Sequence, residues 1–277
     1  MVNQLSTQTK AQLKYIDIGV NLTNKRFDKD RTVIIKEAEK NGVVKQIVTG
    51  TNLAESKKAL QLTKDFPHNL YSTAGCHPHD AKDFQLSDLE ELRGLLKDPQ
   101  VVAVGECGLD FNRNFSPEQD QLRVFEQQLE LAVECQKPVF LHERDAFEAQ
   151  YKLLKKYAPK LNGGVVHCFT GEVEHMQAYL DLGLFIGITG WICDERRGVD
   201  LYNNVHLIPS DRLLLETDAP YLLPRDLPKE LRAKPKSSRN LPQYLPHIAE
   251  TIARARDQEL VELAERWYSN TEKLFRF

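Results

Sequence analysis

The stretch VVAVGECGLD at Val101–Asp110 joins an apolar run to two carboxylates, Glu106 and Asp110. Val101–Val104 is short, apolar and β-branched, which is typical of a buried strand. Downstream, apolar residues recur at helical spacing, with Pro117 just inside the predicted helix start, at Leu122, Phe125, Leu129, Ala132 and Val133. The stretch therefore predicts one strand followed by one helix, with acidic residues where the strand ends.

The same pattern recurs along the chain. Seven further short apolar runs lie at Tyr15–Val20, Val44–Thr49, Leu70–Ala74, Val139–Leu141, Val165–Val166, Leu184–Ile188 and Leu213–Leu215. Eight strand–helix alternations, one per roughly 28 residues, match a (β/α)8 barrel, whose strands are covered on both faces. We therefore predict an α/β protein with a single TIM-type (β/α)8 barrel over residues 14–277, after a polar leader of residues 1–13. A doubly wound open sheet is the alternative.

The pattern is weakest near the C-terminus. Only a short helix fits between Gly190 and Arg212, and four prolines after the eighth run, at positions 220, 224, 228 and 235, predict a long loop. Helices are predicted to follow at Pro242–Ala255 and Leu260–Leu274. Long loops in compact domains are usually functional.

Composition narrows the class of protein. The chain has 277 residues, of which 41% are hydrophobic and 28% charged, and its net charge is −3. This balance argues against coating nucleic acid non-specifically, although an enzyme that grips a few nucleotides remains compatible with it. No uncharged run approaches the roughly 18 residues of a membrane span, and no apolar segment follows the N-terminus as in a secretory signal. We predict a cytoplasmic protein without membrane contact, and a monomer by default.

Metal-binding residue types collect where the apolar runs end, at Asp17, Asn21, His77, His79, Glu106, Asp110, His142, His167, Glu216 and Asp218. In a (β/α)8 barrel these ends share one face, which holds the active site. Histidines with carboxylates indicate a divalent ion, and an ion that activates water favours hydrolysis. Taken singly, His79 and His175 are better explained as packing residues than as ligands.

Other classes of catalytic site are not supported. The five cysteines are odd in number and form no C-x-x-C pair, which argues against a disulfide framework. Cys76, Cys107 and Cys168 neighbour candidate site residues, but strand alternation predicts that they face the helices. No phosphate-binding glycine loop and no G-x-S-x-G motif occurs, so metal-activated water is the remaining candidate.

Basic residues near the same face favour a phosphate-bearing substrate, namely Arg26, Arg113, Arg144, Arg196, Arg197, Lys234, Lys236 and Arg239.

Several long motifs resemble the TatD family of metal-dependent deoxyribonucleases, within the amidohydrolase-like superfamily. They are DIGVNLT at Asp17–Thr23, GCHPHD at Gly75–Asp80, GECGLDFNRN at Gly105–Asn114, PVFLHERD at Pro138–Asp145, HCFTG at His167–Gly171, GITGWICDERRG at Gly187–Gly198 and ETDAPYLLPRD at Glu216–Asp226. The resemblance runs from about Tyr15 to Phe277. It implies a divalent-metal phosphodiesterase, a 3′→5′ exonuclease of single-stranded DNA and RNA, with a role in DNA repair and degradation.

The resemblance also implies residue roles. The family's metal-binding Glu and two His match Glu106, His142 and His167, and its ETDAP Asp and G-x-H-P His match Asp218 and His77. We expect the first three to position Mg²⁺, with Mn²⁺ or Zn²⁺ as alternatives. Asp218 is expected to bind the metal as well and to orient or deprotonate water, and His77 to bind phosphate or support the metal. Substrate contacts are expected from Asn21, Arg113, Lys236 and Arg239.

One departure concerns the end of strand 1. Many relatives carry H-x-H there, whereas this chain has Gly19, Val20 and Asn21. The loss of two imidazoles favours a more weakly bound, Mg²⁺-like ion. Two alternatives remain open: a D-aminoacyl-tRNA deacylase or other ester or amide hydrolase that uses the same metal, and a catalytically silent barrel that binds a partner.

Overall fold

Among the described residues, eight strands form one parallel sheet in the order β1 to β8. The computed structural model describes residues 13–233 and 237–277. The strands are β1 (Tyr15–Val20), β2 (Val43–Val48), β3 (Leu70–Ala74), β4 (Val101–Asp110), β5 (Val139–Arg144), β6 (Gly164–Val166), β7 (Phe185–Ile188) and β8 (Leu213–Leu215). A parallel bridge between Val20 and Ala219 joins the first strand to the segment after the last. This closure confirms the predicted barrel and excludes the open sheet.

Helices cover the outside of the barrel. They are α1 (Arg31–Lys40), α2 (Leu53–Asp65), α3 (Leu86–Leu95), α4 (Glu118–Cys135), α5 (Phe147–Tyr157), α6 (Val173–Asp181), α7 (Val199–Asn204), α8 (Leu245–Ala255) and α9 (Leu260–Phe275). Helix α4 buries Phe125 and Leu129. The prediction that Pro117 lies inside this helix was wrong by one residue, because Pro117 is the extended residue that precedes it. No helix among residues 13–233 and 237–277 is long and apolar enough to cross a membrane.

Alternation along the strands divides the core into two layers. On β5, Val139 and Leu141 pack in the large cluster that includes helix residues, whereas Phe140 belongs to a separate cluster with Ile18 and Leu214. Because successive side chains of a strand point to opposite faces, the second cluster fills the barrel interior.

Strands β4 and β5 extend beyond their apolar runs and carry site residues within the sheet. Their pairing continues from Cys107 opposite Leu141 to Asp110 opposite Arg144. Gly108 permits this approach, since its φ is +140° and a Cβ there would lie 1.9 Å from the His142 carbonyl oxygen. Apolarity marked only the first part of each strand, because later residues such as Glu106 and Asp110 on β4 and His142 on β5 line a polar cleft.

The segments after β7 and β8 are irregular; a short helix was predicted after β7, and a long proline-containing loop after β8. A 3-10 turn at Gly190–Cys193 precedes α7. After β8 the described chain forms only two short 3-10 turns, Lys229–Leu231 and Pro242–Tyr244, before α8 begins. The predicted helix over Pro242–Ala255 is therefore a 3-10 turn followed by an α-helix. The predicted leader of residues 1–13 lies, except for Leu13, outside the described residues.

Candidate active site

The C-terminal ends of the strands open into a cleft of about 2060 Å³. Its lining includes eight of the strand-end residues singled out in the sequence, namely Asn21, His77, His79, Glu106, Asp110, His142, His167 and Asp218. They arrive from six different strand ends, so closure of the barrel is what brings them together. The positions of these residues thus agree with the expectation that one face of the barrel holds the site.

Glu106 is the centre of this cluster. Its Oε1 lies 2.8 Å from His167 Nε2, 3.1 Å from His142 Nδ1 and 3.4 Å from His77 Nε2. Burial alone would raise the pKa of Glu106, but the imidazoles of His167 and His77 and the hydrogen bond from His142 hold it well below the usual range. Glu106 is therefore an ionised carboxylate that is almost completely buried.

The three imidazoles respond differently to this environment. Burial lowers the pKa of His77 to about 4, although the charge of Glu106 opposes the shift. Burial also acts on His167, but Glu106 and Glu216 outweigh it and raise its pKa well above the ordinary value. The pKa of His142 is raised by its contacts with Asp110 and Glu106, against the effect of burial. The buried charge of Glu106 is therefore paired with imidazoles, the condition under which buried ions are tolerated.

Two further carboxylates orient the imidazoles. Asp110 Oδ2 lies 2.7 Å from His79 Nε2 and 3.5 Å from His142 Nε2, and its Oδ1 accepts the backbone N–H of Arg113 at 2.8 Å. Glu216 Oε2 lies 3.3 Å from His167 Nδ1. Carboxylates that hold the second nitrogen of a histidine commonly fix its ring and tautomer in metal sites. The sequence marked Asp110 and Glu216 only as strand-end residues and assigned them no role.

Glu216 also explains why strand 1 has a glycine at position 19, the first of the two positions that depart from H-x-H. A Cβ added at Gly19 would lie 2.5 Å from Glu216 Oε2, and one added at Gly187 would lie 2.7 Å from Oε1. Glu216 is completely buried and its Oε1 also accepts the backbone N–H of Cys168. The space beside residue 19 is therefore filled by a carboxylate that holds His167, and a histidine side chain has no room there.

The donor set fits a divalent cation. His77, Glu106 and His142 each offer a ligand atom, and these atoms lie within 4.8 Å of one another. His142 Nε2 is buried and, among the described residues, makes no hydrogen bond, since its 3.5 Å separation from Asp110 Oδ2 is an ion-pair contact only. Carboxylate and imidazole ligands of this kind suit Mg²⁺, Mn²⁺ or Zn²⁺. The group includes His77, whereas the ligand set expected from the sequence has His167 and Asp218 beside Glu106 and His142.

Asp218 stands beside this cluster. Its Oδ1 accepts a hydrogen bond from Asn21 Nδ2 at 2.9 Å, and its backbone N–H donates to the Gly19 carbonyl oxygen. Burial raises the pKa of Asp218 to about 7; the nearby charge of His167 opposes the shift, whereas those of Glu106 and Glu216 add to it. Asn21, predicted to contact substrate, is thus placed to orient a carboxylate.

Only some of the basic residues singled out in the sequence lie at the cleft. Arg113, Arg144 and Arg197 line the cleft. Arg239 does not, because its guanidinium pairs with Asp30 at 2.6 Å and lies over the ring of Phe27. The role of Arg239 in substrate binding therefore stays a prediction, and the position of its side chain outside the cleft does not support it. Lys234 and Lys236 lie outside the described residues.

The expectation that the three site-adjacent cysteines face the helices was wrong for Cys168. Cys76 and Cys107 are buried in the cluster between sheet and helices, as predicted. Cys168 lines the cleft instead. It lies beyond the last residue of β6 with φ +48°, so the alternation of a strand no longer applies to it.

Exposed aromatic side chains at the cleft were not found from the sequence. Phe115 follows β4 and is 56% exposed, and Tyr221 follows β8 and is 48% exposed. Strands β4 and β8 are four positions apart around the eight-stranded barrel, so these rings stand on opposite sides of its mouth. Single aromatic residues in loops have no pattern that a sequence argument can detect.

A (β/α)8 barrel with histidines and carboxylates gathered at its C-terminal face is the architecture of metal-dependent hydrolases. The family described as TatD related DNase matches residues 16–276. The chain belongs to this family, which confirms the resemblance drawn from the motifs.

Similar proteins extend over nearly the whole chain. The chain is 51% identical to a protein of Erwinia tasmaniensis and 50% identical to one of Salmonella typhimurium, both named "3'-5' ssDNA/RNA exonuclease TatD"; each match covers 94% of this chain and 98% of the relative. Among solved structures, a TatD homologue from Escherichia coli superposes with a TM-score of 0.84 at 29% identity, covering 95% of this chain and 98% of the other.

Proposed function

We propose that this protein is a metal-dependent 3′→5′ exonuclease of single-stranded DNA and RNA. The observation that carries the proposal is the contact of Glu106 Oε1 with three imidazoles at the mouth of a barrel of the TatD family. Relatives that are about half identical over 94% of the chain are named for this activity. A role in DNA repair and degradation belongs to the same proposal.

The metal is proposed to be Mg²⁺, with Mn²⁺ and Zn²⁺ as alternatives. Glu106 and His142 would hold it, with further contacts from His77, His167 or Asp218. When bound, such an ion neutralises charge on the phosphodiester and lowers the pKa of water for attack on phosphorus. Asp110 and Glu216 keep the imidazoles in place for this purpose.

Asp218 is the proposed proton acceptor. It lines the cleft, and the hydrogen bond from Asn21 to its Oδ1 limits rotation of the carboxylate. A carboxylate held in this way can orient water and take a proton from it at a side-chain oxygen. Asn21 then acts as a positioning residue.

The walls of the cleft suit a flexible polynucleotide. Phe115 and Tyr221 expose aromatic faces on which unpaired bases can stack, and such stacking favours single strands without regard to sequence. Arg113, Arg144 and Arg197 supply donors for neighbouring phosphates. A base-paired duplex cannot present its bases to these rings.

The decisive experiment is digestion of 5′-labelled single-stranded DNA by the full-length protein in Mg²⁺ and in EDTA. We expect a ladder that shortens from the 3′ end in Mg²⁺ only. Glu106→Gln should abolish it, whereas Glu148→Gln, an exposed carboxylate of the same cleft, should not. Cleavage that persists in EDTA, or no cleavage in Mg²⁺, Mn²⁺ or Zn²⁺, would overturn the proposal.

The monomeric state and the cytoplasmic location predicted from the sequence remain predictions. Gel filtration of the purified protein and fractionation of cells that produce the full chain test them directly.

A further inference from the structure

A second cluster of metal-binding residue types lies outside the catalytic cleft. Cys193 ends the 3-10 turn after β7, Asp226 lies in the segment after β8, and His247 is in the first turn of α8. One potential ligand atom from each residue, the Cys193 thiol sulfur, an Asp226 carboxylate oxygen and a His247 ring nitrogen, lies within 4.8 Å of the other two. None of the three lines the cleft described above.

The side chains already contact one another. His247 Nε2 lies 2.7 Å from Asp226 Oδ1, and the Cys193 thiol contacts the Asp226 carboxylate and the Thr251 hydroxyl. Asp226 therefore stands between the thiol and the imidazole. This order does not suit a cysteine nucleophile, which needs the imidazole directly beside its sulfur.

We propose that Cys193, Asp226 and His247 form a Zn²⁺ site with three protein ligands. A thiolate, an imidazole and a carboxylate are the three side-chain ligands that zinc takes in proteins, and water can complete a tetrahedron. The charges of one thiolate and one carboxylate balance that of the ion.

The surroundings allow the thiol to become a ligand. The Cys193 side chain is buried, and its thiol already contacts the Asp226 carboxylate. Binding breaks the S–H bond, forms a Zn–S bond and releases the proton to solvent. Arg254 faces the cluster at 3.9 Å from Asp226 Oδ2, and its side chain is 61% exposed and can turn outward.

The position of the cluster indicates what the ion would do. The same two segments are already joined by Arg225, whose Nε lies 3.5 Å from Asp194 Oδ1. A zinc ion next to this contact would tie the segments after β7 and β8 to α8. These segments carry Trp191 and Tyr221 at the cleft, so the ion would stabilise one wall of the mouth without touching substrate.

Cobalt distinguishes this site from the catalytic one. After treatment with chelator, the full-length protein is titrated with Co²⁺, which replaces Zn²⁺ and shows a thiolate-to-cobalt charge-transfer band only when sulfur is a ligand. We expect one equivalent of such absorption, displaced by Zn²⁺. Cys193→Ser should lose it, whereas Cys168→Ser, which removes the thiol of the catalytic cleft, and Glu106→Gln should keep it.

Two further variants keep the proposal testable if Cys193→Ser does not fold. Asp226→Asn and His247→Gln keep the thiol and should lower the affinity for Zn²⁺ by about tenfold or more. Zn²⁺ should also raise the Tm of Glu106→Gln, which lacks the central carboxylate of the catalytic site, through binding to the native state. The proposal fails if the wild type shows no charge-transfer band, if the band survives Cys193→Ser, or if both Asp226→Asn and His247→Gln bind Zn²⁺ as tightly as the wild type. Because none of these readouts measures nuclease activity, the result is independent of the proposed function.

Discussion

His167 Nε2 lies 2.8 Å from Glu106 Oε1, although 61 positions separate the two residues in sequence. His167 follows β6 and Glu106 lies on β4, so the contact spans the mouth of the barrel across β5. The Glu106 carboxylate can therefore gather imidazoles from three other strand ends. The predictions below test what holds this arrangement and what it acts on.

Asp110→Asn should weaken the metal site without removing a proposed ligand. Asp110 Oδ2 faces both His79 and His142, and the amide that replaces it has one oxygen where the carboxylate has two. We expect the affinity for Mn²⁺, measured by calorimetry, to fall about 10- to 100-fold. Asp200→Asn changes an exposed carboxylate of the same cleft and is the control. Equal affinities in the two variants would show that Asp110 does not position the imidazoles.

Phe115→Ala and Tyr221→Ala should each raise KM for single-stranded DNA with little change in kcat. Base–aromatic stacking contributes about 1–3 kcal/mol per base, and these are the exposed rings that we place against the substrate. Leu207→Ala removes an exposed apolar side chain outside the cleft and should leave KM unchanged. Steady-state kinetics on an oligonucleotide measures the effect, and an unchanged KM in both aromatic variants would remove them from the binding surface.

Arg239→Ala should affect stability rather than substrate binding. The guanidinium makes two hydrogen bonds to the Asp30 carboxylate, at 2.9 Å and 2.6 Å, and its side chain is only 15% exposed. We expect the free energy of unfolding to fall by about 1.5–3 kcal/mol, with KM unchanged. Arg113→Ala should do the reverse, because Arg113 is exposed and lines the cleft. Urea unfolding and kinetics on both variants decide between this view and the substrate contact expected from the sequence.

Asp17→Asn should change how stability depends on pH. Burial raises the pKa of Asp17 to about 8, although hydrogen bonds from Thr217 and Gly19 oppose the shift. Between about pH 4 and pH 8 the folded state therefore keeps a proton on Asp17 that the unfolded state releases. Because of this difference, Asp17 makes the free energy of unfolding fall as pH rises through this range. The slope is at most about 1.4 kcal/mol per pH unit. The variant lacks this contribution.

The measurement is urea unfolding of metal-free protein at about pH 5, 6.5 and 8. The free energy of unfolding of Asp17→Asn minus that of the wild type should be larger at the highest pH than at the lowest. The exposed Asp211→Asn should follow the wild type. Parallel pH profiles for Asp17→Asn and the wild type would show that Asp17 titrates normally.

Local patterns were enough to predict much of this molecule. Leu70–Ala74 and Leu213–Leu215 are strands with the predicted bounds, and Leu260–Phe275 exceeds its prediction by one residue. Buried strands and amphipathic helices can be predicted because the burial of their residues follows the period of the strand or helix. Once the barrel was predicted, the strand-end rule also placed Glu106, His142 and His167 on one face.

Side-chain placement beyond the strand ends was not predictable in the same way. Arg239 was expected at the substrate and pairs with Asp30, and Cys168 was expected against the helices and lines the cleft. In both cases the backbone is irregular, so no repeat relates position in sequence to direction in space. The partner of such a residue is known only when the distant segment that supplies it is in place.

The sequence by itself thus determined the alternation of strands and helices, the family, and the residue types at the mouth of the barrel. Only the tertiary structure decided that Glu216 occupies the space beside Gly19, that Asp110 faces His79 and His142, and that Cys193, Asp226 and His247 converge. The physical reason is that secondary structure follows from contacts a few residues apart. These contacts instead join residues that are far apart in sequence. Glu216 meets Gly19, for example, because the barrel closes where Thr217 and Ala219 after the last strand meet Asp17 and Val20 on the first.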